Sequence, residues 1–116
     1  TKLPSLLKAQ KIQLKAKQVG FDWENIDGAY DKLMEEILEL KEAKDEDKLE
    51  ELGDVLFSVV NIARFIGVNP SFALNKTNKK FIDRFKKMEK SPLSKKEGFE
   101  NLDLNQMELL WNDLKS

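Results

Sequence analysis

Two acidic pairs stand at matched distances from one short turn, and that symmetry constrains the fold more than any other feature of the chain. Glu36 and Glu39 lie three apart on one helix-periodic segment, and Glu51 and Asp54 lie three apart on the next. The turn centres on Asp45, within Ala43-Lys44-Asp45-Glu46-Asp47. Glu39 and Glu51 are each six residues from it, Glu36 and Asp54 each nine. A helix rises about 1.5 Å per residue, so an antiparallel pair joined there sets Glu39 level with Glu51 and Glu36 level with Asp54. Four carboxylates then converge between two helices. Such a cluster repels itself unless it is solvated, protonated or holding a cation, and hard oxygen donors favour Mg²⁺.

Helical spacing continues along the chain. A first segment over 5–19 follows Pro4 and stops at Gly20, a left-handed cap. The second, 27–44, carries the stripe Leu33, Ile37 and Leu40, and Gly28 blurs its start. The third, 46–66, is so apolar around its circumference (Leu49, Leu52, Val55, Leu56, Val59, Val60, Ile62, Ala63, Ile66) that it is expected to be largely buried. Asn69-Pro70 reads as an N-cap and first helical position. The fourth segment then runs to about Lys90 and is expected to bury Phe72, Leu74, Phe81, Phe85 and Met88. Residues 91–101, with Pro92 and Gly98, read as a loop, and a last helix opens at Asp103 with Gln106 completing a capping box. No strand-like alternation competes, so the expected fold is an all-α bundle of four to five helices.

At 116 residues this is one domain over 1–116 by length. The first residue is Thr1, not Met, which leaves room for an upstream segment. A net charge of −1 gives no field for nucleic acid or membrane surfaces. The absence of Cys removes disulfides and thiolate metal sites, and is compatible with a cytoplasmic protein. The absence of His removes the commonest general base and most zinc sites. Any catalysis must rest on carboxylates, Lys, Arg, Tyr or a metal ion.

On the third segment Glu51, Asp54, Ser58 and Asn61 form one narrow polar stripe, at steps of three, four and three. A solvated face explains such a stripe on any amphipathic helix. The matching Glu36 and Glu39 argue for more, because Glu36 borders the apolar stripe of its own segment and belongs at a helix–helix seam. Buried, uncompensated carboxylates cost several kcal/mol each, and a cation relieves them. Glu35 and Glu42 point elsewhere and read as surface charges. On the fourth segment Lys80 and Arg84 are four apart, spaced to grip phosphate oxygens, although most of the neighbouring lysines are surface. Asn78 falls on the apolar stripe, where an amide needs a partner or a ligand. Trp23 and Trp111 are candidates to stack on a base, against the ordinary role of core packing.

These residues together resemble the MazG-type nucleoside triphosphate pyrophosphohydrolases, all-α enzymes grouped with the dimeric dUTPases and the phosphoribosyl-ATP pyrophosphatases. The family's EExxE and ExxD motifs stand here as Glu35-Glu36-Ile37-Leu38-Glu39 and Glu51-Leu52-Gly53-Asp54. Leu3-Pro4-Ser5-Leu6-Leu7-Lys8-Ala9-Gln10 with Gly20-Phe21-Asp22-Trp23 is similar to the opening of the C-terminal domain of two-domain MazG proteins. Glu50 to Phe57 with Val60-Asn61-Ile62-Ala63-Arg64, Asn78-Lys79-Lys80-Phe81 with Arg84-Phe85, and Leu110-Trp111 extend the likeness over nearly the whole chain.

The resemblance implies Mg²⁺-dependent cleavage of a nucleoside triphosphate between the α and β phosphates, with Mn²⁺ as a substitute ion and the nucleotide pool as the setting. It implies metal-ligating and catalytic roles for Glu36, Glu39, Glu51 and Asp54. Substrate contacts fall to Asn61, Asn78, Lys80, Arg84 and Trp111. It also implies a homodimer or higher homo-oligomer. An inactive member of the family, serving as a helical interaction module, is the alternative.

Overall fold

Helix α1 (Ser5–Gln18) starts directly after Pro4, whose carbonyl accepts the Lys8 N–H at 2.9 Å. It ends where Gly20 takes a φ of +87°, which lets the Gly20 and Phe21 N–H groups bond back to Lys17 and Ala16. The computed structural model describes residues 4–115, so Leu3, at the head of the opening motif, lies outside the described residues. Beyond α1 come α2 (Ile26–Glu42), a 3₁₀ turn (Asp45–Asp47), α3 (Lys48–Phe65), α4 (Pro70–Glu89), α5 (Pro92–Glu97), a second 3₁₀ turn (Phe99–Asn101) and α6 (Leu104–Asp113). No strand occurs among the described residues, and the fold is all-α. No single helix among them is long and apolar enough to cross a membrane.

Local chemistry sets most of these boundaries. Asn25 caps α2 by accepting the Asp27 N–H, and Asn69 accepts the Phe72 N–H at the head of α4. Asp103 and Gln106 exchange both bonds of a capping box, 2.8 and 3.0 Å, at the start of α6. Helix α5 departs from the expected loop. Ser91 accepts the Ser94 N–H and Pro92 stands in the first turn, so the Ser-Pro pair that reads as a break opens one more short helix.

The chain divides into two compact units, Thr1–Ala73 and Leu74–Ser116. In the first, α2 and α3 pack as a hairpin about the 3₁₀ turn, and α1 lies against α3. Ala29, Val60 and Ala63 form the apolar centre, together with buried Gln13, Glu36, Ser58 and Asn61. Helix α3 is therefore not largely buried, as its composition predicts. Of its polar stripe Ser58 and Asn61 are buried, Glu51 is half-buried and Asp54 is exposed, while Leu49, Leu52, Leu56 and Val59, at steps of three, four and three, stay exposed. Burial on α3 is concentrated between Ser58 and Ala63, where Ser58, Val60, Asn61 and Ala63 are all covered, and the apolar residues nearer its start are left open. Phe72 is exposed as well.

In the second unit Met88 and Leu102 are buried, and the Phe85 ring meets the edge of Phe99 at 5.2 Å. Phe81 and Leu74 remain exposed, against expectation, although the Phe81 ring lies 5.0 Å from Trp111.

Gly28 has a reason beyond helix propensity. A Cβ at that position would overlap the Trp23 ring, which rests on this turn of α2. Gly28→Ala should gain about 1 kcal/mol of helix propensity and lose about 1–3 kcal/mol to overpacking. The expected outcome is a net loss of stability with a changed near-ultraviolet tryptophan dichroism. An unchanged signal would show that Trp23 does not need the gap.

Candidate active site

The carboxylates meet in two overlapping sets. Oxygens of Glu36, Glu51 and Asp54 lie within 4.8 Å of one another, and so do oxygens of Glu35, Glu36 and Glu39. Glu36 belongs to both sets and is itself buried, 5% exposed, whereas Asp54 and Glu39 open to solvent and Glu51 is half-buried. Lys32, one turn earlier on α2, holds Glu36 Oε1 at 2.9 Å. That hydrogen bond raises the Lys32 pKa, so the ammonium stays charged. Glu36 Oε2 and Glu51 Oε2 are buried and accept no hydrogen bond.

The crowding bears on two of the carboxyls. Burial pushes the Glu51 carboxyl above its ordinary value, and the negative charges of Asp54 and Glu36 add to it. Glu39 is pushed up first by Glu36, then by burial and by Glu51. Glu35 differs from expectation: it is exposed, but its side chain curls toward Lys32, at 3.7 Å, and so comes near Glu36 and Glu39. Hard oxygen donors from two helices, two of them buried without partners, fit a divalent cation of the Mg²⁺ type.

A cavity of about 700 Å³ adjoins this cluster, with Glu36, Asp54 and Lys32 in one part of its wall. Trp23, Phe21, Phe57 and Ile12 supply apolar surface. Deeper polar structure is built on Arg64, which donates to both carboxylate oxygens of Asp22 at 2.9 and 2.8 Å and to Asn61 Oδ1 at 2.9 Å. The side chains of that ion pair are 6% and 10% exposed. Those bonds hold the Asp22 carboxyl below its ordinary value, with partial burial opposing them. Gln13, from α1, lines the same cavity and donates to the Phe57 carbonyl at 2.9 Å.

Of the expected substrate contacts, Asn61 lies in this wall. Asn78, Lys80, Arg84 and Trp111 belong to the second unit. There Arg84 stacks over Trp111 at 5.1 Å and donates to the Lys115 carbonyl. Asn78 is exposed and has no protein partner among the described residues, so it is not the buried amide its position on the stripe suggests. Sequence reasoning missed Gln13, Asp22, Lys32 and Arg64 as site residues. Lys32 had a usable signal, since it stands four residues before Glu36.

An all-α unit thus sets a carboxylate cluster able to hold a divalent cation on a helical hairpin, with an aromatic-lined cavity beside it. The profile of the MazG nucleotide pyrophosphohydrolase domain matches residues 26–89. The nucleoside triphosphate pyrophosphohydrolase/pyrophosphatase MazG of Thermotoga maritima is 48% identical over 97% of this chain and 45% of its own length. The nucleoside triphosphate pyrophosphohydrolase of Escherichia coli K12 is 42% identical over the same shares. An uncharacterized protein of Bacillus subtilis, YabN, is 45% identical over 56% of this chain and 13% of its own length. The chain belongs to the MazG family. It spans about half the length of the curated relatives it matches.

Proposed function

We propose that this chain is a catalytic MazG domain, over 1–116, that hydrolyses nucleoside triphosphates between the α and β phosphates, releasing a nucleoside monophosphate and pyrophosphate. The single observation that carries this is the triad Glu36, Glu51 and Asp54, with oxygens within 4.8 Å of one another and two of them buried without a donor. Those three residues would hold Mg²⁺, with Mn²⁺ as a substitute, and Glu39 stands beside them. A bound divalent ion supplies charge neutralisation for the triphosphate and acidifies water.

The protein's own groups do the rest. Lys32 keeps Glu36 oriented through Oε1 and leaves Oε2 free. A carboxylate of the set not fully engaged with the ion takes the proton of the attacking water, the part that His plays elsewhere. The cavity beside the cluster holds the nucleoside, with Asn61 and Trp23 in its wall. On the family motifs we assign substrate contacts to Asn78, Lys80, Arg84 and Trp111 too. The setting is the cytoplasmic nucleotide pool. Product identification tests the reading. Monophosphate and pyrophosphate, lost on chelation and restored by Mg²⁺, are expected, whereas diphosphate and orthophosphate would overturn it.

The exposed stripe Leu49, Leu52, Leu56 and Val59 supports self-association. Four apolar side chains at heptad-like spacing suit a second copy better than solvent. Leu56→Lys should convert a homo-oligomer to monomers by light scattering at roughly tens of micromolar. A wild-type monomer at that concentration would refute the assembly. The same stripe would serve an inactive interaction module. Mg²⁺ separates the two, because a true site raises the melting temperature beyond the effect of matched ionic strength.

A further inference from the structure

Two amides in the cavity wall have their orientation fixed by the protein. Gln13, 5% exposed, donates through Nε2 to the Phe57 carbonyl at 2.9 Å. A carbonyl only accepts, so the amide cannot be turned over, and Oε1 is left buried with no donor. Asn61, 7% exposed, is fixed from the opposite side. Arg64 only donates, so the atom that meets its Nη2 at 2.9 Å is Oδ1. The Asn61 Nδ2 group then has no protein acceptor among the described residues. Arg64 cannot swing away, because Asp22 grips it through two bonds. Native interiors seldom leave a buried amide oxygen unpaired without a use for it.

We infer that Gln13 Oε1 and Asn61 Nδ2 form an acceptor–donor pair that reads the hydrogen-bonding edge of the substrate's nucleobase, with Asp22 and Arg64 as positioning residues. This rests on the nucleotide reading of the cavity given above. A phosphate is the wrong ligand for Gln13 Oε1, since an amide oxygen repels phosphate oxygens. A planar ring fits better, because Trp23 and Phe57 present aromatic surface to the same space. Each common base carries an N–H or amine donor beside an acceptor on its pairing edge. A site built around such a donor discriminates strongly against an analogue that lacks it, since the buried oxygen is then left unpaired.

The test is equilibrium binding of the four common nucleoside monophosphates by calorimetry. The best-bound one is then paired with an analogue whose edge donor has been removed. For adenine and cytosine the exocyclic amine is deleted; for guanine and uracil the ring N–H is methylated. Wild type should bind the donor-less analogue about tenfold or more weakly. In Gln13→Met the two ligands should differ by less than about twofold, because the coupling between that donor and Oε1 has gone. The ratio is taken within one variant, so a change in overall stability does not imitate it.

Asn61→Asp supplies a second arm should the Met variant fail to fold. It keeps an oxygen for Arg64 but exchanges the free donor for an acceptor, and should weaken the best-bound monophosphate by about tenfold. A ribose contact would instead leave base analogues equal and make the deoxyribonucleotide weak. Equal discrimination in wild type and Gln13→Met, no discrimination in wild type, or no binding of any monophosphate would each overturn the inference. Binding needs no turnover. Failure to release pyrophosphate would therefore strike the hydrolase reading alone.

Discussion

Glu51→Gln and Asp54→Asn should each depress pyrophosphate release by roughly a hundredfold or more, and Glu36→Gln should do the same. Amide substitution keeps shape and removes charge, so it tests ligation rather than packing. The three residues share one cluster, and an ion held by three carboxylates loses both a strong ligand and a negative charge with each change. Glu39→Gln is expected to impair the reaction too, since Glu39 feels both Glu36 and Glu51. The accompanying stability change has the opposite sign. Without metal, Glu51→Gln and Asp54→Asn should be as stable as wild type or more so, because a like charge has left a crowded group, whereas Glu36→Gln also gives up the ion pair with Lys32 and gains less.

For Glu51 the pH window follows from its direction of shift. Its folded pKa is raised, so the ionised form is disfavoured on folding. The advantage of Glu51→Gln is therefore present at neutral pH and vanishes as pH falls below the ordinary glutamate range, where both states are protonated. Glu35→Gln is the control. Glu35 is exposed, pairs with Lys32 at 3.7 Å and, although near Glu36 and Glu39, lies outside the Glu36–Glu51–Asp54 set, so its variant should retain most activity. Full activity in both Glu51→Gln and Asp54→Asn would sink the metal site.

What the chain disclosed about itself followed the range of the interactions involved. Helix ends were legible because Asn69-Pro70 and the Asp103–Gln106 box close within three residues. The encounter of Glu36 with Glu51 and Asp54 was legible because it needs only one hairpin and the rise of a helix. Helix α5 was not, since Ser91-Pro92 opens a helix as well as it breaks one. The direction in which α3 faces was lost for a different reason. Periodicity locates a stripe but not what covers it, and here the polar Ser58 and Asn61 lie inward while Leu49 and Leu52 face out. The cavity wall depends on pairs far apart in sequence, Arg64 with Asp22 and Gln13 with Phe57, separated by 42 and 44 residues. No local pattern announces them.

The Asp22–Arg64 pair carries the second large effect. Its two side chains are 10% and 6% exposed and share two short bonds, so this is a desolvated ion pair that ties the loop before α2 to the end of α3. Removing one partner strands the other charge. Asp22→Asn should therefore destabilise the fold by roughly 2–4 kcal/mol at neutral pH. The Asp22 carboxyl is held below its ordinary value, chiefly by the hydrogen bonds from Arg64. A depressed carboxylate contributes stability that is complete above its unfolded value, about 3.9, and that disappears as pH falls through the folded one. Wild type and Asp22→Asn should accordingly differ most at pH 6–8, by denaturant unfolding at roughly 25 °C, and converge in strong acid. Arg64→Lys keeps the charge but loses the two-pronged grip and the bond to Asn61, so it should recover only part of the stability. If Asp22→Asn unfolds at the same denaturant concentration as wild type at neutral pH, the pair is not a clamp, and the orientation of Asn61 must be set by something else.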